Sequence, residues 1–318
     1  MRAAFDFGIA TIYGSRGVAF DGCSCYAPRV KHPSVSIIGP GRLGSALAVH
    51  LHRAGCQIEE VVVRSPGPSM TRAKILARRI KARALLLETA KLNSDLVWFC
   101  VPDSQIANVA DRLSEKNWKA RFAFHSSGVL ASGVLLQLRD KGAAVASVHP
   151  LMTFIDGALP DLEGVTFAVE GDARAVKLAT SVALGLKAVP RPIRKQDKAA
   201  YHAFATMICP LLVALLAAAE NAARVAGVSH RDARKRMLPI INQTVANYFK
   251  AGPAKAFTGP IPRGDTDSVR LHLEALAKSP SARNAYVALA QAALEVLPSR
   301  NREDLRNLIA SFSSRSLR

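Results

Sequence analysis

A glycine turn, three polar clusters at the ends of apolar runs, and a lysine and histidine one helical turn apart are the features of this sequence with the types and spacing to do chemistry. In Gly39-Pro40-Gly41-Arg42-Leu43-Gly44 the first glycine permits a tight turn and the second lets backbone approach a phosphate. The third lets a helix pack closely on a strand. A helix opening there would aim free N–H groups and a positive dipole end at a pyrophosphate. The next apolar run closes on Arg64-Ser65. A guanidinium pairs bidentately with phosphate and a hydroxyl can donate to it, so this position suits the 2′-phosphate of NADP better than the ribose hydroxyls of NAD. Glu59 or Glu60 would reach the ribose instead if that run ended earlier.

The polar clusters are Val101-Pro102-Asp103, His125-Ser126-Ser127-Gly128 and His149-Pro150. Ligands of open α/β sheets lie at the carboxyl ends of strands, so the three should converge on one cleft. Hydride transfer belongs to a nicotinamide, and the protein must orient the substrate and move one proton. His149, with an ordinary pKa near 6.5, suits general acid or base work, and Ser127 could hydrogen-bond the same oxygen. An imidazole that only fixes the turn before Pro150 is the competing reading. Lys198 and His202, four apart, share a helix face. In the loop 258–265, Arg263 would suit a substrate carboxylate or a cofactor phosphate, with Asp265 beside it; a purely structural Arg263–Asp265 pair fits as well. The cofactor-binding candidates are therefore Gly39, Gly41, Arg42, Leu43, Gly44, Arg64, Ser65, Val101, Pro102 and Asp103. His149, Lys198, Ser127 and His202 are the catalytic candidates, and His125, Arg263 and Asp265 the substrate-binding ones.

The elements that must position these residues follow from hydrophobic period. Val35-Ser36-Ile37-Ile38 reads as a strand, 45–54 as an amphipathic helix and Ile58–Val63 as a second strand, a βαβ unit with a right-handed crossover. Strands are expected near 84–87, 96–101, 121–124, 144–148, 165–169 and 187–189. The intervening helices are expected near 69–80, 105–113, 134–141 and 173–184. The run 96–101 is apolar throughout, as in a strand covered on both faces. After residue 191 only helical patterns recur, at 195–226, 229–249, 266–277, 281–297 and 302–311. The expected fold is an α/β Rossmann domain with a mostly parallel sheet (34–193), followed by an all-α substrate and dimerisation domain (194–318). Residues 1–33 lack either period and read as an extension, and the tail after Phe312 as a disordered terminus.

At 318 residues the chain can bury two ordinary cores without disulfides or metal. Its five cysteines are scattered and show no zinc spacing, so reduced thiols and a cytoplasmic location are expected, with no metal. No signal-peptide core follows the first basic residue. Residues 203–219 are almost wholly apolar but contain Pro210 and end at Glu220, which argues for a core or dimer-interface helix over a membrane span. The formal charge of +19, dense between Arg64 and Arg83, would attract anions, yet no nucleic-acid motif accompanies it. A small-molecule substrate, a homodimer and no specific nucleic acid or membrane partner are expected.

From Ser34 to about residue 297 the chain resembles the two-domain Rossmann-like family with a C-terminal helical domain of unknown function, whose members are candidate NADP oxidoreductases. The family is related to reductases with a 6-phosphogluconate dehydrogenase-like C-terminal domain. The marks are the glycine turn, Val101-Pro102-Asp103, His125-Ser126-Ser127-Gly128, the run from His149 through Phe154, Lys198-Ala199-Ala200-Tyr201-His202-Ala203, and the run from Thr258 through Asp265 followed by His272. The arrangement is similar, more distantly, to 3-hydroxyisobutyrate dehydrogenase, in which a helix lysine at the domain junction serves as the acid. That resemblance implies Lys198 for this role, against a solvated lysine at a helix start. One departure stands out: Cys209-Pro210 occupies the place where the resemblance leads us to expect Ser-Asn. The resemblance implies NADP-dependent hydride transfer to or from a small oxo, hydroxy or imino compound, carboxylated ones included. A non-catalytic NADP-binding regulator is the alternative.

Overall fold

The computed structural model describes residues 32–313. The expected extension over 1–33, apart from its last two residues, and the last five residues of the tail lie outside the described residues. Eight strands form one sheet: β1 (Val35–Ile38), β2 (Ile58–Val63), β3 (Arg83–Leu86), β4 (Leu96–Phe99), β5 (Phe122–His125), β6 (Ala144–Pro150), β7 (Thr166–Gly171) and β8 (Val189–Pro192). Their order is β3-β2-β1-β4-β5-β6-β7-β8. Every pairing is parallel except β6 with β7. The order reverses beside β1, so a crevice opens at the carboxyl ends of β1 and β4, where the glycine turn follows β1.

Helices cover both faces, as continuously apolar parallel strands require. On one face α1 (Arg42–Arg53), α2 (Pro68–Ile80) and α5 (Ala173–Gly185) pack in a core that includes Ile37, Leu47, Leu76, Trp98 and Phe167. On the other, α3 (Asp103–Arg112) and α4 (Leu136–Asp140) meet Ile38, Phe99, Ile106 and Leu138. All four residues of β4 are buried. Strand β2 runs its full length to Val63, so Arg64 follows it, while Glu60 is buried under Arg83 and the Leu92 N–H. Neither Glu59 nor Glu60 therefore stands at the strand's carboxyl end.

The remaining chain is helical: α6 (Lys198–Ile208), α7 (Pro210–Val225), α8 (His230–Ala251), α9 (Pro253–Ala256), α10 (Pro260–Arg263), α11 (Thr266–Ala275), α12 (Pro280–Val296) and α13 (Arg302–Ser313). The single helix expected over 195–226 is divided. Proline lacks the N–H that would continue the ladder and disfavours helical backbone in the residue before it, and Cys209 accordingly leaves the helical region (φ −123°, ψ −86°). Pro210 then starts α7 at a position that needs no donor. A small core including Val269, Leu273, Leu294 and Leu305 joins α11, α12 and α13. By contrast α7 buries no residue in this chain, and α6 buries only Lys198. The apolar stretch 203–219 is thus not internal to one copy; Phe204, Met207, Leu211 and Val213 are all exposed.

Candidate active site

The glycine turn has the contacts its chemistry needs. Gly39 adopts φ +97°, and a Cβ there would come within 2.6 Å of the Cys100 carbonyl oxygen. A Cβ on Gly44 would sit 2.1 Å from the Gly39 carbonyl oxygen, so α1 presses directly on the turn. Gly41 has open space around it and caps α1, leaving backbone free for phosphate. Beside the turn is a cleft of about 240 Å³ walled by Arg64, Ser69, Arg72 and Pro102. Arg64 donates from Nη1 to Gln105 Oε1 at 2.5 Å, while Ser65 is exposed next to it. Arg42, on the far side, lies 3.4 Å from Asp156. The residues present fit the phosphates of a dinucleotide. Arg72, which sequence reasoning left within a basic run, also walls a second cleft of about 420 Å³ with Arg42 and Arg79.

The second group of side chains assembles between the ends of β5 and β6 and the first turns of α6. Lys198 is 1% exposed, and its ammonium donates to the Ser127 carbonyl at 3.1 Å and to Ser147 Oγ at 2.7 Å. Burial holds its pKa below the ordinary lysine value, opposed by the charges of Glu170 and Asp103. His202, one turn along α6, lies on Gly128 so closely that a Cβ there would meet its Cδ2 at 2.2 Å. The His202 and His149 rings meet edge to face, with centroids 5.6 Å apart. Burial, reinforced by Lys198 and His202, pushes the His149 pKa from 6.5 down to about 4. Its Nδ1 is buried without a hydrogen-bond partner among the described residues.

These positions bring together Lys198, His202, His149 and the backbone of Ser127. The Ser127 hydroxyl turns elsewhere: it donates to Asp103 Oδ2 at 2.7 Å and accepts from the Leu130 N–H at 2.9 Å. His125 is fully buried at the end of β5, where its Nδ1 accepts from the Ser127 N–H at 3.2 Å. Burial first, then Lys198, lowers its pKa to about 3. It stands behind the loop rather than on an open wall. Arg263 and Asp265 lie in the helical part, where Asp265 accepts from the Ser268 N–H at the start of α11. The carbonyl of Pro262, next to Arg263, receives the Arg300 N–H. Among the described residues no hydrogen bond ties either of them to the sheet edge.

Sequence reasoning missed Ser147, the hydroxyl beneath Lys198. Its signal was a lone polar residue inside an otherwise apolar strand. It also missed the cleft of about 430 Å³ between residues 149–153 and α6, which His149, His202, Thr206 and Cys209 help to wall. Thr206 and Cys209 lie outside the quoted motifs and join His149 and His202 only through the docking of α6.

The fold and this edge define a two-domain protein of the Rossmann type, and comparison with known proteins agrees. Residues 23–150 match the model of a Rossmann-like domain, and residues 165–293 match that of a domain of unknown function (DUF2520). The chain therefore carries a Rossmann-like domain followed by a DUF2520 domain. A candidate NADP oxidoreductase from Bacteroides fragilis is 21% identical with a TM-score of 0.69, covering 82% of this chain and 97% of that one. A reductive aminase from Aspergillus terreus, solved with NADPH and ethyl-5-oxohexanoate, is 15% identical with a TM-score of 0.58, covering 83% and 94%. Both likenesses establish the fold. L-aspartate dehydrogenase 3 of Bordetella bronchiseptica is 28% identical over 160 residues, 49% of this chain. The chain thus spans about half of that relative, 56% of its length.

Proposed function

We propose that this protein is an NADP-dependent oxidoreductase acting on a small carbonyl, hydroxy or imino compound, with residues 34–193 holding the cofactor and 194–318 completing the substrate site. The observation that carries the reading is a single sheet edge with the glycine cradle and Arg64 at one end and the His149–His202 pair at the other. The nicotinamide supplies or accepts the hydride when bound. The chain's own residues do the rest. His149 is neutral at pH 7, so it serves as a neutral imidazole that hydrogen-bonds the substrate oxygen or nitrogen and exchanges a proton there, as a base or weak acid. Lys198 does not reach the open cleft. Its ammonium fixes the Ser127 carbonyl and Ser147 hydroxyl, and its charge adds to the burial that keeps the nearby imidazole neutral.

A second copy completes the assembly in this reading, covering the exposed apolar surface of α6 and α7. The segment Lys195–Val225 has the length and composition of a membrane span. Its break at Cys209 and its Lys198 and His202, committed to the sheet edge, argue against a span, and in this reading the protein is a soluble cytosolic homodimer. The decisive measurement is binding of NADPH and NADH to the purified protein, followed by NADPH oxidation with ketones, keto acids and imines. Tighter NADPH binding with turnover is expected. Tight binding without turnover on any class would favour the regulator, and no NADPH binding would refute both.

A further inference from the structure

The cleft beside His149 differs in kind from the basic cleft at the glycine turn. Pro150, Leu151 and Met152 form one wall, and Ala205, Ile208 and Pro210 much of the other. Among the described residues no lysine, arginine, aspartate or glutamate lines it. Its polar groups are the two imidazoles, the Cys209 thiol and the hydroxyls of Thr153 and Thr206, and the Thr206 hydroxyl is already committed to the His202 carbonyl at 2.9 Å. The nearest buried cation, Lys198, is turned to Ser127 and Ser147 behind the wall. His149 is held neutral and offers no compensating charge. Arg263, the side chain with the chemistry to clamp a carboxylate, is exposed in the helical part.

A carboxylate entering such a cleft would lose water without gaining a partner of opposite charge, which is costly, whereas an apolar body gains by leaving water. The cleft, at about 430 Å³, is large enough for a ring or branched chain beyond the reacting carbon. We infer that the substrate is an uncharged carbonyl or imine compound with an apolar body, rather than an oxo or imino acid. The inference rests on the oxidoreductase reading above and narrows its substrate class. It also departs from the carboxylated substrates that Arg263 suggested in the sequence.

The test uses two probes with the same ring, cyclohexyl methyl ketone and cyclohexylglyoxylate, in which a methyl group replaces a carboxylate. Calorimetric titration of the full chain saturated with NADPH reads binding rather than turnover. Salt of about 0.15 M, with a screening length of about 8 Å, limits diffuse attraction of the anion by the positive surface. The ketone should bind tighter by on the order of tenfold or more, the cost of an unpaired carboxylate. Met152→Arg, at a partly exposed wall position, should strengthen keto-acid binding and weaken ketone binding. Equal or tighter keto-acid binding by the unaltered protein overturns the inference, as does binding of neither probe or indifference of both to Met152→Arg. If Arg263→Ala abolishes a keto-acid preference, Arg263 reaches the cleft and the inference again fails. NADPH affinity is measured first on the same sample. Its absence strikes the oxidoreductase reading itself, whereas intact NADPH binding with a keto-acid preference strikes only the substrate class.

Discussion

The two ends of the sheet edge are built by different means. At the cofactor end, backbone does the work: Gly39 and Gly44 are pressed against carbonyls and Gly41 is left open, with the exposed arginines Arg64 and Arg72 around a small cleft. At the proton end, buried side chains from two parts of the chain do it. Lys198 and His202 arrive on α6 and lock onto the loop after β5, beside His149 from β6. The first arrangement is local and tolerant of charge, because phosphate brings its own. The second depends on desolvation and packing, so its chemistry is sensitive to any group that lets water or charge in.

The sharpest separation of the two ends comes from His149→Ala. Turnover should fall by about 10² to 10⁴-fold, the usual contribution of a positioned proton-transfer group, with NADPH affinity unchanged. Steady-state kinetics beside a fluorescence titration of NADPH check this. A parallel fall in NADPH affinity would place His149 in the cofactor site and erase the distinction.

Arg64→Glu acts on the other end and should have a smaller effect. Losing a charge-assisted pair costs roughly 1.5 to 3 kcal/mol, or about 10- to 150-fold in NADPH affinity. NADH affinity should change little, so the preference shrinks or inverts, and turnover at saturating NADPH should persist. Equal affinity for the two cofactors in the unaltered protein would remove the role of Arg64. An unchanged preference in Arg64→Glu would move selection to Arg72 and Ser69.

This contrast also explains how much could be read in the sequence. The glycine turn, the βαβ unit and the place of Arg64 just after β2 were legible because each is specified by neighbours within a few residues. The exact span of β2 and the near-coincidence of α2, α5, α12 and α13 with their expected ranges come from the same local periodicity. At the proton end only residue types were legible. That Ser127 would present its carbonyl to Lys198 and its hydroxyl to Asp103 depends on the path of the loop after β5. That His125 would be sealed behind that loop depends on α6 docking over it. The break at Cys209 was available in principle, since Pro210 was visible, but the apolar run suggested continuity.

The smallest expected effect is on acid stability, and it probes the desolvation that distinguishes the proton end. His149 and His125 have folded pKa values near 4 and 3, below the ordinary 6.5. Between those values and 6.5 the unfolded chain binds more protons than the folded one, so stability is full above pH 6.5 and falls as pH drops. Each histidine contributes a slope approaching about 1.4 kcal/mol per pH unit inside its window. Free carboxyl groups titrate near pH 4 and free imidazoles near 6.5, so urea unfolding between pH 5 and 6.5 weights the histidines. His149→Asn cannot take up the proton, and its stability should therefore decline less steeply there by close to one proton's worth. A slope unchanged by that substitution would mean that His149 takes up its proton in the folded protein as readily as in the unfolded chain. The desolvation assigned to the proton end would then be wrong, and the two ends would differ only in shape.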